Sequence, residues 1–133
     1  MIVDSSAIMA ILKGEPEEPA FSAAMEEAEV LRVSAGTYFE ASFVTDSYRN
    51  PKLSARFDLI MEIPKLVIEP VTAEQARIAR QAYRNYGKGS GHAANLNFGD
   101  CFSYALARDK REPILFKGDD FVHTDLRPAV PKP

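Results

Sequence analysis

The sequence predicts an α/β fold, a three-layer α/β/α sandwich whose central, mostly parallel sheet has four or five strands. Short apolar runs of strand length alternate with longer amphipathic segments. Turn-forming or helix-capping residues stand between these segments. Since 133 residues is the size of an ordinary domain, we expect a single domain over residues 1–133.

The chain is predicted to open with a strand followed by a helix. Residues 1–3 (MIV) are apolar and lead directly into Asp4. Ser5 or Ser6 can cap a helix whose apolar residues recur at helical spacing up to Gly14. Asp4 therefore stands at the carboxyl end of a predicted buried strand.

The next part of the chain is predicted to be mainly helical. We expect helices over residues 20–28, 36–48 and 53–61, and a second strand over residues 30–33. Ser34 is placed to cap the helix that carries Glu40. We expect Glu40 to have apolar neighbours and four phenylalanines to be core residues rather than base-stacking surfaces: Phe39, Phe43, Phe57 and Phe102.

A third strand is predicted over residues 66–68, and Thr72-Ala73-Glu74-Gln75 is a capping-box pattern for a helix that runs to Tyr86 and stops at Gly87. This helix and the flexible loop after it carry a basic series spaced by three, four and four residues: Arg77, Arg80, Arg84 and Lys88. The series can be an RNA-phosphate stripe or a solvated face. Tyr83 and Tyr86 are candidates to stack on bases.

The last part of the chain combines a capped helix with a fourth strand. Asn97 can cap a helix that has Asp100 in its first turn. We expect the positive end of the helix dipole to lower the pKa of Asp100 and keep the carboxyl ionised. The fourth strand is predicted over residues 114–116, and residues near Val130 can add a weak edge strand.

Four acidic positions are spread along the chain, and two of them, Asp4 and the pair Asp119-Asp120, come after predicted strands. The other two, Glu40 and Asp100, lie in predicted helices. Right-handed crossovers place the ends of the first and fourth strands on the same side of a parallel sheet, where ligands bind. Carboxylates gathered there repel each other unless protons or a hard cation such as Mg²⁺ or Mn²⁺ offset their charge. Because divalent ions held by carboxylates promote phosphodiester hydrolysis, we predict a metal-dependent nuclease.

Composition excludes several other classes of protein. A net charge of −3 argues against a protein that coats nucleic acid through a broad positive field. The sequence has no apolar run near the ~20 residues of a membrane span and no pattern of a secretory signal, so we expect a cytoplasmic protein. The single cysteine, Cys101, excludes an intrachain disulfide and a Cys-rich zinc site, and we interpret it as a core residue rather than a nucleophile.

Four blocks of the sequence resemble those of PIN-domain ribonucleases, and most closely the VapC toxins of bacterial type II toxin–antitoxin pairs. The blocks are residues 2–7, 38–41, 97–107 and 115–121, and the third is the most distinctive. Their order and spacing match over nearly the whole chain. The resemblance implies an endoribonuclease that cuts structured RNA such as tRNA or rRNA with Mg²⁺ or Mn²⁺, forms a homodimer and is silenced by a VapB-type antitoxin.

The resemblance also assigns roles to residues. Asp4 and Asp100 would be the principal metal ligands, Glu40 would bind the ion directly or through water, and Ser6 would orient Asp4 or a phosphate oxygen. In the last block, Phe116-Lys117-Gly118 stands where the family usually has a Thr before its fourth acid. We take Asp120 as this acid because it directly precedes Phe121, with Asp119 as the alternative.

Contacts to substrate phosphate are predicted for three basic side chains as well as Ser6: Arg84, Lys88 and Lys117. Three other functions stay open at this point. A receiver-like signalling domain would need an Asp directly after the third strand, where the chain has Glu69-Pro70. A PIN-fold nuclease of RNA maturation would share the chemistry, and an inactive module would only bind RNA or a partner.

Overall fold

A computed structural model describes residues 1–131 of the chain. Its ten elements follow one another as β1 (Ile2–Val3), α1 (Ser5–Leu12), α2 (Glu18–Glu27), β2 (Leu31–Ser34), α3 (Ala35–Ser47), α4 (Pro51–Met61), β3 (Leu66–Glu69), α5 (Ala73–Tyr86), α6 (Phe98–Lys110) and β4 (Ile114–Leu115).

The four strands form one parallel sheet in the order β3-β2-β1-β4. Ile2 and Ile114 pack into a core with α5 and α6, while Val3 and Leu115 point to the opposite face and pack with α1, α2 and α4. Strands buried on both faces read as continuous apolar runs, which is why these short segments could be recognised in the sequence. The predicted three-layer α/β/α architecture is confirmed.

The weak fifth strand near Val130 does not form within residues 1–131. Val130 lies in a bend, and Pro128 makes an isolated parallel bridge to Ile114. In this bridge the Ile114 N–H donates to the carbonyl oxygen of Arg127 and the Ala129 N–H donates to that of Ile114. The next donor that a parallel ladder would need is residue 131, a proline, which has no N–H. The sheet therefore has four strands in the part of the chain that the structure describes.

Asp4, and not Ser5 or Ser6, caps α1. Its carboxylate accepts a hydrogen bond from the backbone N–H of Ser6 at 3.1 Å, and Ser5 is already the first residue of the helix. The predicted caps at Ser34 and Asn97 are confirmed, as is the stop at Gly87.

The capping box predicted at the start of α5 is only half formed. The Thr72 hydroxyl accepts from the N–H of Gln75 at 3.1 Å, but the Gln75 side chain does not reach back to Thr72. It is buried and donates to Asp109 of α6 at 2.9 Å. A tertiary hydrogen bond between α5 and α6 thus replaces the local one.

Two of the four phenylalanines predicted to be core residues are on the surface. Phe39 and Phe43 are 70% and 68% exposed, whereas Phe57 is buried and Phe102 is half-buried. The buried face of α3 is instead formed by small residues spaced by four: Thr37, Ala41 and Thr45. Because Thr37 contacts α6 and Thr45 contacts α1, the rings of Phe39 and Phe43 lie on the other side of the helix and point outward.

The start of α3 packs tightly against α6. A Cβ atom placed on Gly36 would lie only 2.5 Å from Cγ of Phe102, so the helices can approach this closely only because residue 36 has no side chain. The contact fixes the distance between the helix of Glu40 and the helix of Asp100. Within residues 1–131, no helix is both long and apolar enough to cross a membrane.

We predict that Gly36→Ala destabilises the fold, because the added methyl overlaps the Phe102 ring in a close-packed contact. Overpacking of this kind typically costs about 1–3 kcal/mol, which urea denaturation would measure. In the Phe102→Leu background, where the ring is gone, Gly36→Ala should cost less than half as much. An equal cost in both backgrounds would contradict the proposed contact.

Candidate active site

Asp4 is held rigidly at the carboxyl end of β1. Its side chain is 2% exposed, and both of its oxygens accept hydrogen bonds. The hydroxyl of Ser103 donates to Oδ1 at 2.6 Å, and the hydroxyl of Ser6 donates to Oδ2 at 2.6 Å. Thr37 in turn lies 3.0 Å from the Ser103 hydroxyl, and the backbone N–H of Lys117 donates to the Ser6 hydroxyl at 3.0 Å.

These hydrogen bonds connect four parts of the chain at one point. Ser6 belongs to α1, Ser103 to α6, Thr37 to α3, and Lys117 follows β4. Ser6 and Ser103 donate to the two carboxylate oxygens directly, so neither oxygen of this buried group lacks a partner, and Thr37 and Lys117 support the two serines. The network thus keeps Asp4 in one orientation. It also brings Ser6, which the resemblance suggested would orient Asp4 or a phosphate oxygen, into direct contact with Asp4.

Asp100 lies in the first turn of α6 and forms a complete capping box with Asn97. The Asn97 side chain accepts from the Asp100 N–H at 2.9 Å, and the Asp100 carboxylate accepts from the Asn97 N–H at 3.0 Å. Asp100 is 9% exposed. Two other acids lie near Asp100, because the negative charges of Asp4 and Asp120 both raise its pKa.

The prediction that the helix dipole keeps Asp100 ionised is wrong. Burial, followed by the negative charges of Asp4 and Asp120, raises the pKa of Asp100 from 3.8 to about 7, although the hydrogen bond from Asn97 opposes the shift. Desolvation and like charges therefore outweigh the favourable helix terminus. A carboxyl in these surroundings is stabilised either by a proton or by a cation.

Glu40, on α3, lies against the start of α6. One of its carboxylate oxygens accepts from the Ser5 hydroxyl at 3.1 Å. The carboxylate also lies against Gly99, where a Cβ atom would be 2.6 Å from Cδ of Glu40. The absence of a side chain at residue 99 thus makes room for the Glu40 carboxylate, one residue before Asp100.

Asp120, one of the two candidates for the fourth acid, is close enough to Asp100 for its negative charge to raise the pKa of Asp100. Asp119 and Asp120 are both exposed in the turn after β4, while the adjacent Phe121 is buried and packs on Phe116 with ring centroids 5.3 Å apart. The buried Phe121 anchors the turn and so positions the residue that precedes it.

The basic residues predicted to contact substrate are found in two different places. Lys117 forms ion pairs with Glu15 and Glu17, residues of the connector between α1 and α2. Those carboxylates raise the pKa of its ammonium group. Arg84 and Lys88 are exposed at the end of α5 and just after it, and within residues 1–131 neither forms an ion pair.

All donors at this site that could bind a metal ion are carboxylate oxygens, which is the chemistry of a site for Mg²⁺ or Mn²⁺. In their present orientations, no three Asp, Glu, His or Cys side chains within residues 1–131 are grouped so that they could hold an ion. Asp4 accepts from Ser6 and Ser103, Glu40 accepts from Ser5, and Asp100 accepts from the backbone N–H of Asn97. The crowding at Asp100 nevertheless fits a divalent cation, which would offset the mutual repulsion.

Cys101 is a buried core residue, in agreement with its interpretation from the sequence. Burial, and secondarily the charge of Asp100, raises the pKa of the thiol to about 11. Its Sγ donates to the carbonyl oxygen of Asn97 at 3.3 Å. A neutral thiol in this position is not a nucleophile at physiological pH.

Comparison with known proteins identifies the family. The model of the PIN domain matches residues 1–126. The chain belongs to the PIN-domain family and, within it, to the VapC ribonucleases. It is 53% identical to ribonuclease VapC28 of Mycobacterium tuberculosis over 130 residues, covering 98% of both chains. It is 48% identical to ribonuclease VapC42 of the same species over 129 residues, covering 97% of this chain and 98% of that one.

Solved structures show the same PIN fold at much lower sequence identity. The crystal structure of M. tuberculosis VapC20, described as a toxin that cleaves the sarcin–ricin loop, has a TM-score of 0.70 with 19% identity and covers 96% of this chain and 98% of that one. A toxin–antitoxin complex from Klebsiella pneumoniae has a TM-score of 0.69 with 15% identity, covering 93% and 92% of the two chains. Membership in the PIN family excludes the receiver-like alternative.

Sequence reasoning missed three residues that support the acids of this PIN domain. Ser103 donates to Asp4, Thr37 lies against Ser103, and Gly99 accommodates Glu40. Ser103 and Gly99 lie within the block at 97–107, and spacing gives a partial signal: Ser103 is three residues after Asp100, on a neighbouring face of the helix. Thr37 gives no signal in a sequence, because only the tertiary fold brings it to Ser103.

We predict that Asp100→Asn stabilises the protein in the absence of divalent ions. The unfolded chain releases the Asp100 proton near pH 4, whereas the folded protein keeps it up to about pH 7, so the ionised wild type loses stability as the pH rises through this range. The variant has no proton to lose. We expect a gain of about 2 kcal/mol at pH 8 and almost none at pH 4, allowing for partial access of water to the carboxyl.

Urea denaturation in EDTA at both pH values would measure this difference. Asp58→Asn, on the exposed side of α4, is the matched control and should change stability equally little at either pH. A destabilised Asp100→Asn variant at pH 8 would contradict the repulsion among the acids.

Proposed function

We propose that the protein is a metal-dependent endoribonuclease and acts as the toxin of a toxin–antitoxin pair. The observation that carries this proposal is that Asp4 and Asp120, which are distant in the chain, lie close enough to the buried Asp100 for their negative charges to raise its pKa. The close relatives named VapC ribonucleases supply the class of substrate, RNA. Because its substrate would be cellular RNA, we expect the protein to act in the cytoplasm.

Mg²⁺ or Mn²⁺ would be held by Asp4, Asp100 and Glu40. When bound, the ion supplies an activated water molecule and neutralises charge on the phosphodiester. Ser103 and Ser6 hold the Asp4 carboxylate in one orientation. Asp120 shares the negative charge around Asp100 and is the fourth acid of the site, and Asp119 stays the alternative.

The substrate contacts follow from the surroundings of these acids. Ser6 is on the site itself, and Arg84 and Lys88 carry positive charge that no carboxylate neutralises within residues 1–131. Lys117 would reach a phosphate only by leaving its ion pairs with Glu15 and Glu17. The backbone N–H of Lys117 already donates to the Ser6 hydroxyl, so Lys117 supports the site through its backbone without leaving these ion pairs.

The partners would be a VapB-type antitoxin and a second copy of the chain. The structural likeness to a toxin–antitoxin complex supports an antitoxin. Phe39 and Phe43 support a protein-binding surface next to the site, because their exposed rings stack 6.5 Å apart on the helix of Glu40. A segment bound there would lie beside the catalytic acids.

A PIN nuclease of RNA maturation would use the same acids, so geometry does not separate it from a toxin. Expression in a bacterial host would separate the two roles. We expect growth arrest on induction of the wild type and normal growth on induction of Asp100→Asn. Normal growth in both cases, together with cleavage of RNA in vitro, would favour the maturation role.

Cleavage of RNA should require the acids and a divalent ion. We expect Asp4→Asn and Asp100→Asn each to lower the rate of cleavage by about 100- to 1,000-fold, the loss seen when one preorganised electrostatic contact is removed, and EDTA to abolish cleavage by the wild type. The rate would be measured on total tRNA and rRNA by gel electrophoresis. Asp58→Asn should cleave as the wild type does, and activity that persists in EDTA would contradict the metal assignment.

Gly99→Ala should inactivate the enzyme without unfolding it. The new methyl displaces the Glu40 carboxylate, whereas the backbone in the first turn of α6 tolerates alanine, which favours the helix. We expect a loss of activity similar to that of Glu40→Ala, with an unchanged or higher melting temperature. Adding Gly99→Ala to Glu40→Ala should cause little further loss, and a fully additive loss would contradict the contact.

A further inference from the structure

A groove with a volume of about 800 Å³ lies between α5 and α6. Its lining is mainly apolar and comes from both helices: Ala76, Ala79, Cys101, Phe102 and Ala105. Clefts of ~300–1,000 Å³ hold organic ligands with several rings. The groove is therefore large enough for a nucleotide.

Uncompensated positive charge is concentrated on the rim of this groove. Arg80, Arg84 and Lys88 all line it, and within the described part of the chain none of them pairs with a carboxylate. Arg77, on the same helix but off the groove, pairs with Glu74 at 3.7 Å. In a protein with a net charge of −3, this local excess of cations is complementary to the phosphates of a polyanion.

Exposed aromatic rings stand beside these cations. Phe98, the first residue of α6, is 78% exposed, and its ring meets Phe102 edge-on at 5.1 Å. Tyr83 of α5 is 48% exposed. Tyr86, which the sequence also suggested for stacking, is instead half-buried against Tyr104 and His92. Aromatic faces next to free cations are the usual platform for unpaired bases.

One end of the groove adjoins the catalytic acids. Asn97 lines the groove, and its capping box with Asp100 joins the groove directly to the carboxylate. Gly99, which touches Glu40, directly follows Phe98. A nucleotide bound against Phe98 would place a neighbouring phosphate near Asp100.

We propose that this groove binds an unpaired nucleotide of the RNA next to the cut. Its base lies against Phe98 and Tyr83, and the phosphates contact Arg84 and Lys88. The proposal rests on the proposed ribonuclease function and specifies its substrate: the segment at the cut must be single-stranded, since a base inside a duplex has no free face. The free cations favour RNA over an apolar protein segment as the occupant.

Fluorescence anisotropy with a short, labelled oligoadenylate in EDTA tests this proposal, with the same strand annealed to its complement as comparison. We expect the single strand to bind at least tenfold more tightly than the duplex. Phe98→Ala, which removes the stacking ring, and Ala76→Phe, which fills the groove, should each weaken single-strand binding about tenfold, the effect of losing one stacked base. Two controls outside the groove, Tyr48→Ala and Arg56→Ala, should change binding by less than twofold.

Single-strand affinity that is unchanged in both Phe98→Ala and Ala76→Phe, with the melting temperature retained, would overturn the proposal. Loss of dimerisation or of antitoxin binding in these variants, with RNA affinity retained, would assign the groove to a protein and overturn it as well. Failure of the wild type to cleave any RNA would overturn the proposed function instead. The binding comparison needs no cleavage, so the two failures are distinguishable.

Discussion

Mutual repulsion among carboxylates at the carboxyl edge of the sheet is the constraint on which the rest of this structure depends. Burial together with the charges of Asp4 and Asp120 moves the pKa of Asp100 to about 7, so the folded chain has difficulty keeping all three acids charged. Stability alone would not favour such an arrangement. It is understandable as strain held at a functional site, because a bound cation would relieve it.

Much of the surrounding fold serves to keep these acids in place. Asp4 is bound by serines from α1 and α6, with Thr37 of α3 behind Ser103. Residues without side chains bring the helices close: Gly36 allows α3 to touch Phe102, and Gly99 leaves room for Glu40. Hydroxyl donors and glycines together let four separate elements contribute to one pocket, and each of them can be tested without removing an acid.

The sequence predicts the elements well wherever the local signal is strong. Continuous apolar runs marked the buried strands, and the caps at Ser34 and Asn97 followed from short polar residues before helical patterns. Parallel topology alone brought Asp4 next to the end of β4. The order of the four blocks that resemble the PIN family could be recognised in the sequence for the same reason, since the acids lie at fixed points of that topology.

The wrong predictions have a common cause: each concerns a feature that tertiary contacts determine and the local sequence does not. The Gln75 side chain donates to Asp109 of α6 instead of completing the capping box of its own helix. Phe39 and Phe43 face outward because small residues occupy the buried side of α3. The protonation of Asp100 depends on neighbours 96 residues before it and 20 after it. The helix dipole is a local effect, and on its own it predicted a lowered pKa for Asp100. The pKa is raised instead, because the burial of Asp100 and the charges near it depend on the tertiary fold.

The most direct test of the central claim is an anomalous-scattering experiment on crystals soaked with Mn²⁺. We expect an anomalous peak bound by the carboxylate oxygens of Asp4 and Asp100, with Glu40 turned away from Ser5 towards the ion. A map with no peak at these residues at saturating Mn²⁺, or a peak bound only by other side chains, would contradict the claim that these acids form a metal site.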